Sequence, residues 1–325
     1  MAPRRGGGGG GGYSSFSCPD AYSTPYRQAA LAYYVLFMVL FIGIFVSVFF
    51  VRRRSGVGKK VIGVPFVIAV FLEVVSRIMS LVSDVMYECS DLNVVDYFNV
   101  IVASRVMSSL ADWALLLVFV YVLNSMLLKQ LGTSSSSGTK TVLRIVIGVM
   151  LAVIIANMAL DSYVTVSDSY LGTEIALEAT ISQGLELACD ILWMISVIIA
   201  AAVSLSNISA LRSRRLPGGD LKGWTTALYV ALFIQATLGI VFSSYYFWPI
   251  ILGNNIFLAL SFISGLARVL VFVILLCIGK HNSWNQTVEK PEQLYAPVMQ
   301  QRTTYGYGNG QQDYYQQTPE LVHTR

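Results

Sequence analysis

Residues 29–60 read AALAYYVLFMVLFIGIFVSVFFV followed at once by RRRSGVGKK, an uncharged apolar run closed by five cations and no acid. A helix needs about 20 mostly apolar residues, each adding about 1.5 Å, to cross the hydrocarbon of a bilayer. Ala29–Val51 meets that length, and the basic block behind it is the stop that holds such a helix at the cytosolic surface. The same pattern recurs along the chain at Val61–Ser83, Val94–Leu128, Val142–Tyr163, Ala179–Ser206, Trp224–Trp248 and Ile256–Ile278. The 325 residues are 55% hydrophobic and 12% charged, with a mean hydropathy of +0.63; a soluble domain carries about 25% charge. The composition therefore predicts an all-α, polytopic bundle of seven transmembrane helices over residues 29–279.

Loop charge sets the expected orientation. The loop after the third run carries Lys129, Lys140 and Arg144, and that after the fifth carries Arg212, Arg214, Arg215 and Lys222 against Asp220. The alternate loops carry Glu88, Asp91 and Asp96, then Asp161, Asp168, Glu174 and Glu178. Cations mark the cytosolic side, so the N-terminus is expected outside and the C-terminus in the cytosol. Residues 1–28 begin with a Gly-rich, flexible lead, and residues 280–325 form a Gln/Tyr-rich tail too poor in aliphatics to fold. The net charge of +4 comes from these topology determinants. The partner it implies is the lipid bilayer, with cytosolic proteins at the basic loops and tail, rather than nucleic acid. A plasma-membrane location is favoured, with endomembranes as the alternative.

Cys18 and Cys89 both fall on the expected outer, oxidising side, which makes them a candidate disulfide. Cys189 and Cys277 fall inside spans and are expected to pack as small core residues.

The polar residues inside the spans are the candidate site. An ionisable group at the bilayer centre costs about 2.5–3.5 kcal/mol even on the insertion scale, so each needs a reason. Helix two holds Glu73 and Arg77 one turn apart; helix three holds Arg105 and Asp112 on one stripe. Helix five holds Glu186 and Asp190, helix six Gln235, and helix seven Arg268. Counting from the span ends places Glu73, Asp112, Asp190, Gln235 and Arg268 near one level, with Arg77, Arg105 and Glu186 one or two turns nearer the outside. Four acids face three arginines, so one carboxyl is left to be neutralised by a proton or a bound cation. Glu186 and Asp190, like charges one turn apart, are the expected holders of that excess. Fully paired charges would instead be structural staples.

Several chemistries are excluded. The only histidines are His281 and His323, so no zinc cluster or His-dependent hydrolase can be built in the bundle. No span contains lysine, which removes a Schiff base, and no nucleotide-binding fingerprint is present. No catalytic residue, metal or cofactor is expected, and the chain is not read as an enzyme.

With seven helices, an outer N-terminus and a cytosolic tail, the chain resembles the topology of G-protein-coupled receptors. It lacks their Asp/Glu-Arg-Tyr motif, having Asn124-Ser125-Met126 at that place. The Glu73-x-x-x-Arg77 step and the Gln/Tyr-rich tail are similar to fungal seven-helix integral membrane proteins, a group with receptor-like and lipid-exporter members. The resemblance transfers no functional residue; the residues themselves leave a receptor or sensor reading the polar layer from outside, a transporter of a small molecule, lipid or proton-coupled substrate using the midplane charges, or a non-catalytic scaffold if those charges are fully paired.

Overall fold

Backbone N–H and C=O groups find no water in hydrocarbon, so a spanning segment must satisfy them internally, and helix is the solution for a run without strand partners. The computed structural model describes residues 22–54, 57–89, 94–132, 137–171, 176–245 and 253–284. Among these, seven helices are long and apolar enough to cross a membrane, and no strand is present. They are Pro25–Arg54, Val64–Cys89, Val94–Gln130, Ser137–Leu171, Ala176–Ser213, Lys222–Ser244 and Asn254–Lys280, called here spans one to seven. Span three is continuous but contains a π turn at Leu117–Val122.

Consecutive spans pack side by side and span seven closes the ring against span one. Span three leans inward, so that its last turns, Leu123–Gln130, also meet span five. Burial follows this order. Span seven is the most enclosed, with 61% of its apolar window buried, and span four the least, with 17%. The outer faces carry large apolar side chains such as Val39, Phe50, Phe71, Ile145, Ile198 and Leu266, each about half exposed or more. A soluble protein does not display so large an apolar girdle; lipid is the medium that covers it.

The interior toward the basic loops is dry and tightly filled. Phe272 of span seven packs edge to face with Phe41 of span one and at a tilt with Phe66 of span two, and Phe119 meets Trp193 and Tyr229 edge to face. The loop after span one makes a short 3-10 turn, Val57–Lys60, that lies against the end of span seven. A Cβ on Gly58 would fall 2.0 Å from the Gly279 carbonyl oxygen, so only glycine allows the approach. Pro65 sits in the first turn of span two, where its missing N–H costs no helical bond.

Among the departures from the expected boundaries, three bear on the site and on the ends of the bundle. Span one begins at Pro25, so residues 25–28 are helix rather than part of the N-terminal arm. Span four runs from Ser137 to Leu171, which takes Asp161 and Asp168 out of the loop and into the helix. The tail does not leave the bundle at residue 280. Ser283 and Trp284 are buried, the Trp284 indole N–H donates to the Ile278 carbonyl at 2.6 Å, and Gln130 Nε2 donates to the Ser283 carbonyl at 3.3 Å. Hydropathy averaged over a window cannot see a single tryptophan folding back on the helix it follows.

Candidate functional site

Glu73 and Arg77 lie one turn apart on the inward face of span two, and Arg77 Nε is 2.8 Å from Glu73 Oε1. Arg77 Nη1 donates to the Tyr33 hydroxyl of span one at 3.1 Å, and its guanidinium lies 5.6 Å from the Phe41 ring centre. The other carboxylate oxygen of Glu73 meets Arg268 Nη2 at 2.6 Å. That nitrogen also lies 2.8 Å from Asp112 Oδ1, while Arg268 Nη1 donates to Asp112 Oδ2 at 3.4 Å. The Nη2 contacts are close ion pairs whose angles fall outside hydrogen-bond geometry. Spans one, two, seven and three are thus clasped by one relay, Tyr33–Arg77–Glu73–Arg268–Asp112. Glu73 is fully buried and Arg268 is 9% exposed. Two guanidinium groups face two carboxylates, so this relay is neutral, which is what makes its burial tolerable.

Asp112 is the exposed end of the relay, and beyond it lies a cavity of about 250 Å³ between spans three to seven. Span five brings Glu186, Asp190 and Trp193 to its wall, span six Gln235, and span four Asn157. Asp190 Oδ2 accepts from the Ser243 hydroxyl at 2.5 Å, and Gly239 stands against the same carboxylate, where a Cβ would come within 3.2 Å of Oδ1. The side-chain oxygens of Asn157 and Gln235 are buried without a hydrogen-bond donor. A larger space of about 510 Å³ lies toward the acidic loops and shares Ser109, Asn157 and Glu186 with the smaller one. Arg105 and Asp161 border it, with Arg105 Nη1 2.8 and 3.0 Å from the two Asp161 oxygens.

The pairing of Arg105 corrects the sequence expectation. Spacing alone groups Arg105 with the intramembrane acids; it instead pairs with Asp161, one of the acids expected in a loop. Its guanidinium is therefore spent outside the cluster, and the described ion pairs leave two carboxylates, Glu186 and Asp190, without a cation rather than one. The remaining candidates divide cleanly. Glu73, Arg77, Asp112 and Arg268 form the relay, while Glu186, Asp190 and Gln235 join Asp112 and Arg268 around the cavity. Trp193 lines it; Trp113, beside Asp112 in sequence, does not. Tyr33, Asn157, Asp161 and Ser243 belong to the site without standing out in the sequence. Asn157 and Asp161 are one turn apart, a same-face signal that lies within the expected span Val142–Tyr163 but is masked by counting Asp161 with the loop acids.

A second polar knot lies below the cavity, at the π turn. The wide turn leaves backbone carbonyls off the normal ladder, and the Asn124 amide donates to the Phe119 and Val120 carbonyls at 3.2 and 2.9 Å. Ser204 of span five donates to Asn124 Oδ1 at 2.8 Å and lies 2.6 Å from the Tyr229 hydroxyl of span six. At the acidic end, Arg27 pairs with Glu88 and the Tyr22 hydroxyl donates to Asp84 Oδ2 at 3.2 Å, fastening the start of span one to the end of span two.

Cys189 and Cys277 are free. Cys89 is disulfide-bonded, and its expected partner Cys18 lies outside the described residues. Among the described residues no group of three His, Cys, Asp or Glu side chains converges as metal ligands. No protein-family model, curated protein or solved structure matches this chain.

Proposed function

We propose that this chain is a receptor- or sensor-like multi-pass membrane protein that takes a small ligand into the cavity between spans three and seven. In this reading the N-terminus and acidic loops face outside, and the basic loops and tail meet cytosolic partners. The observation that carries it is the position of Asp112, shared between a buried charge relay and the wall of a polar cavity. A ligand that engages Asp112 competes with Arg268 for the same carboxylate. The relay can then re-pair, because Arg268 still holds Glu73, and the packing of spans one, two and seven responds. A purely structural role accounts for the neutral relay but leaves the cavity, with its two uncompensated carboxylates, without purpose. No bond-making chemistry is assigned to the site.

Transport is the second reading, favoured by one feature: span three, though continuous, widens into a π turn between the cavity and the basic end, and π turns inside helices are frequent at functional sites. The experiment is cysteine accessibility in intact cells. Ser109→Cys, at the neck shared by both cavities, is expected to react with a membrane-impermeant thiol reagent applied from outside, while Val39→Cys on the lipid face stays inert. An inert Ser109→Cys sinks the proposal. Labelling of Ser109→Cys from both sides of the membrane would favour transport over sensing.

A further inference from the structure

We infer that the ligand of the cavity is a compact organic cation, an amine or quaternary ammonium compound. This rests on the cavity reading above and adds the sign and chemical class of what fills it. Arg268 is the only cation on the smaller cavity's wall, and its charge is engaged by Glu73 and Asp112 at 2.6 and 2.8 Å. Arg105, on the wall of the larger space, is engaged by Asp161. Two acids on these walls have no ion pair: Glu186, on both walls, feels Arg105 only at longer range, and Asp190 accepts a hydrogen bond from the Ser243 hydroxyl.

The neutral polar groups agree in sense. Asn157 and Gln235 each leave an amide oxygen buried and unpaired, and a buried acceptor is unfavourable until a donor arrives. A ligand rich in N–H or polarised C–H donors satisfies these groups, whereas an anion or a pure acceptor adds to the misfit. Trp193 supplies an aromatic wall, the partner that a desolvated ammonium finds. A volume of about 250 Å³ is too large for a bare ion and below the drug-sized range of about 300–1,000 Å³, which points to a small organic molecule. The lack of three converging metal ligands among the described residues agrees with this choice over a divalent metal.

Cys189 lies on the cavity wall between the two acids and is free, so it serves as a native reporter. The purified full chain in nanodiscs is treated with paired methanethiosulfonates of similar size, one carrying trimethylammonium and one sulfonate, and modification of the Cys189 peptide is followed by mass spectrometry. Both reagents require the same thiolate, so its protonation cancels in the ratio of rates, and each rate is taken relative to that with free cysteine so that the charge of the thiolate itself cancels too. The cationic reagent is expected to react at least about tenfold faster, the scale set by unit charges within one or two helical turns in a partly screened site. The ratio should fall toward unity in Glu186→Gln/Asp190→Asn. Choline should slow the reaction, and dimethylbutanol, its uncharged isostere, should not. Equal rates for the two reagents in the wild-type protein, or equal protection by the two alcohols, would overturn the cationic ligand while leaving the cavity standing. Failure of both reagents to reach Cys189, with Ser109→Cys also inert, would overturn the cavity itself.

Discussion

Arg268 of span seven reaches Glu73 of span two at 2.6 Å, in a part of the bundle where Glu73 has no exposed surface. Neither residue is tolerable there alone. Removing one partner of a buried pair costs about 3–5 kcal/mol, because the other is left charged and dry. Arg268→Met should therefore lower the thermal stability of the detergent-solubilised protein sharply, since it strands Asp112 and leaves Glu73 with Arg77 alone. Glu73→Gln/Arg268→Met should cost less than the sum of the single changes. Strict additivity in that cycle would show that the two do not interact.

Arg105 and Asp161 present the opposite case. Their side chains are 57% and 29% exposed, and such a pair contributes about 0–1 kcal/mol. Arg105→Gln should leave the melting temperature nearly unchanged. It should also release the Asp161 carboxylate into the larger cavity and raise the cationic-over-anionic labelling ratio at Cys189. A lowered ratio would contradict the charge inventory of the cavity.

Three glycines offer a graded test of packing. A Cβ added at Gly43 would meet nothing within 4 Å, one at Gly265 would press to 2.6 Å from the Phe37 ring, and one at Gly58 would fall 2.0 Å from the Gly279 carbonyl. Gly43→Ala should be neutral or stabilising by up to about 1 kcal/mol through helix propensity. Gly265→Ala should cost about 1–3 kcal/mol, as overpacking does, because Phe37 is itself buried. Gly58→Ala should be the worst, since a backbone carbonyl cannot rotate away. Unfolding curves of the three variants would show the order.

At the π turn, Asn124→Ala leaves the Phe119 and Val120 carbonyls short of the amide that serves them. The expected loss is about 1–3 kcal/mol, the cost of buried groups left unpaired. Tyr229→Phe should cost less, because the Tyr229 hydroxyl reaches the turn itself only at 3.4 Å from the Phe119 carbonyl, which Asn124 still serves, and its 2.6 Å partner Ser204 still donates to Asn124. Equal losses in thermal unfolding would assign the support of the turn to Tyr229 rather than Asn124.

Tyr22 gives the acidic end a pH response. Burial, then the nearby Asp84 carboxylate that its hydroxyl bonds, pushes the phenol up to about 12 from its ordinary value of 10.0. The folded state thus prefers the neutral phenol. The contact is fully present below pH 10 and is lost as pH rises from there through about 12. Ultraviolet titration should show the Tyr22 contribution to the late-ionising tyrosines move partway back toward pH 10 in Asp84→Asn, since its burial remains. An unchanged late titration in that variant would place the effect elsewhere.

Much of the architecture is legible from one dimension. The seven spans, the helical class and the set of intramembrane charges follow from apolar run length, because partition into hydrocarbon is summed residue by residue along the chain. The i to i+4 step of Glu73 and Arg77 is legible for the same reason: one helix fixes both positions. What stays hidden is every choice between helices. Read in one dimension, Arg105 groups with the buried acids and Asp161, at the expected end of span four, counts with the loop acids; in the bundle the helix continues to Leu171 and Asp161 pairs with Arg105. Counting charges leaves one carboxyl in excess where the bundle leaves Glu186 and Asp190. Which charge meets which depends on how far each helix extends, how it rotates about its axis and how span three leans across the interior, and those are set by packing among all seven. Hydropathy dictates that charges stand in the membrane; only their tertiary arrangement decides that some cancel and two face a cavity.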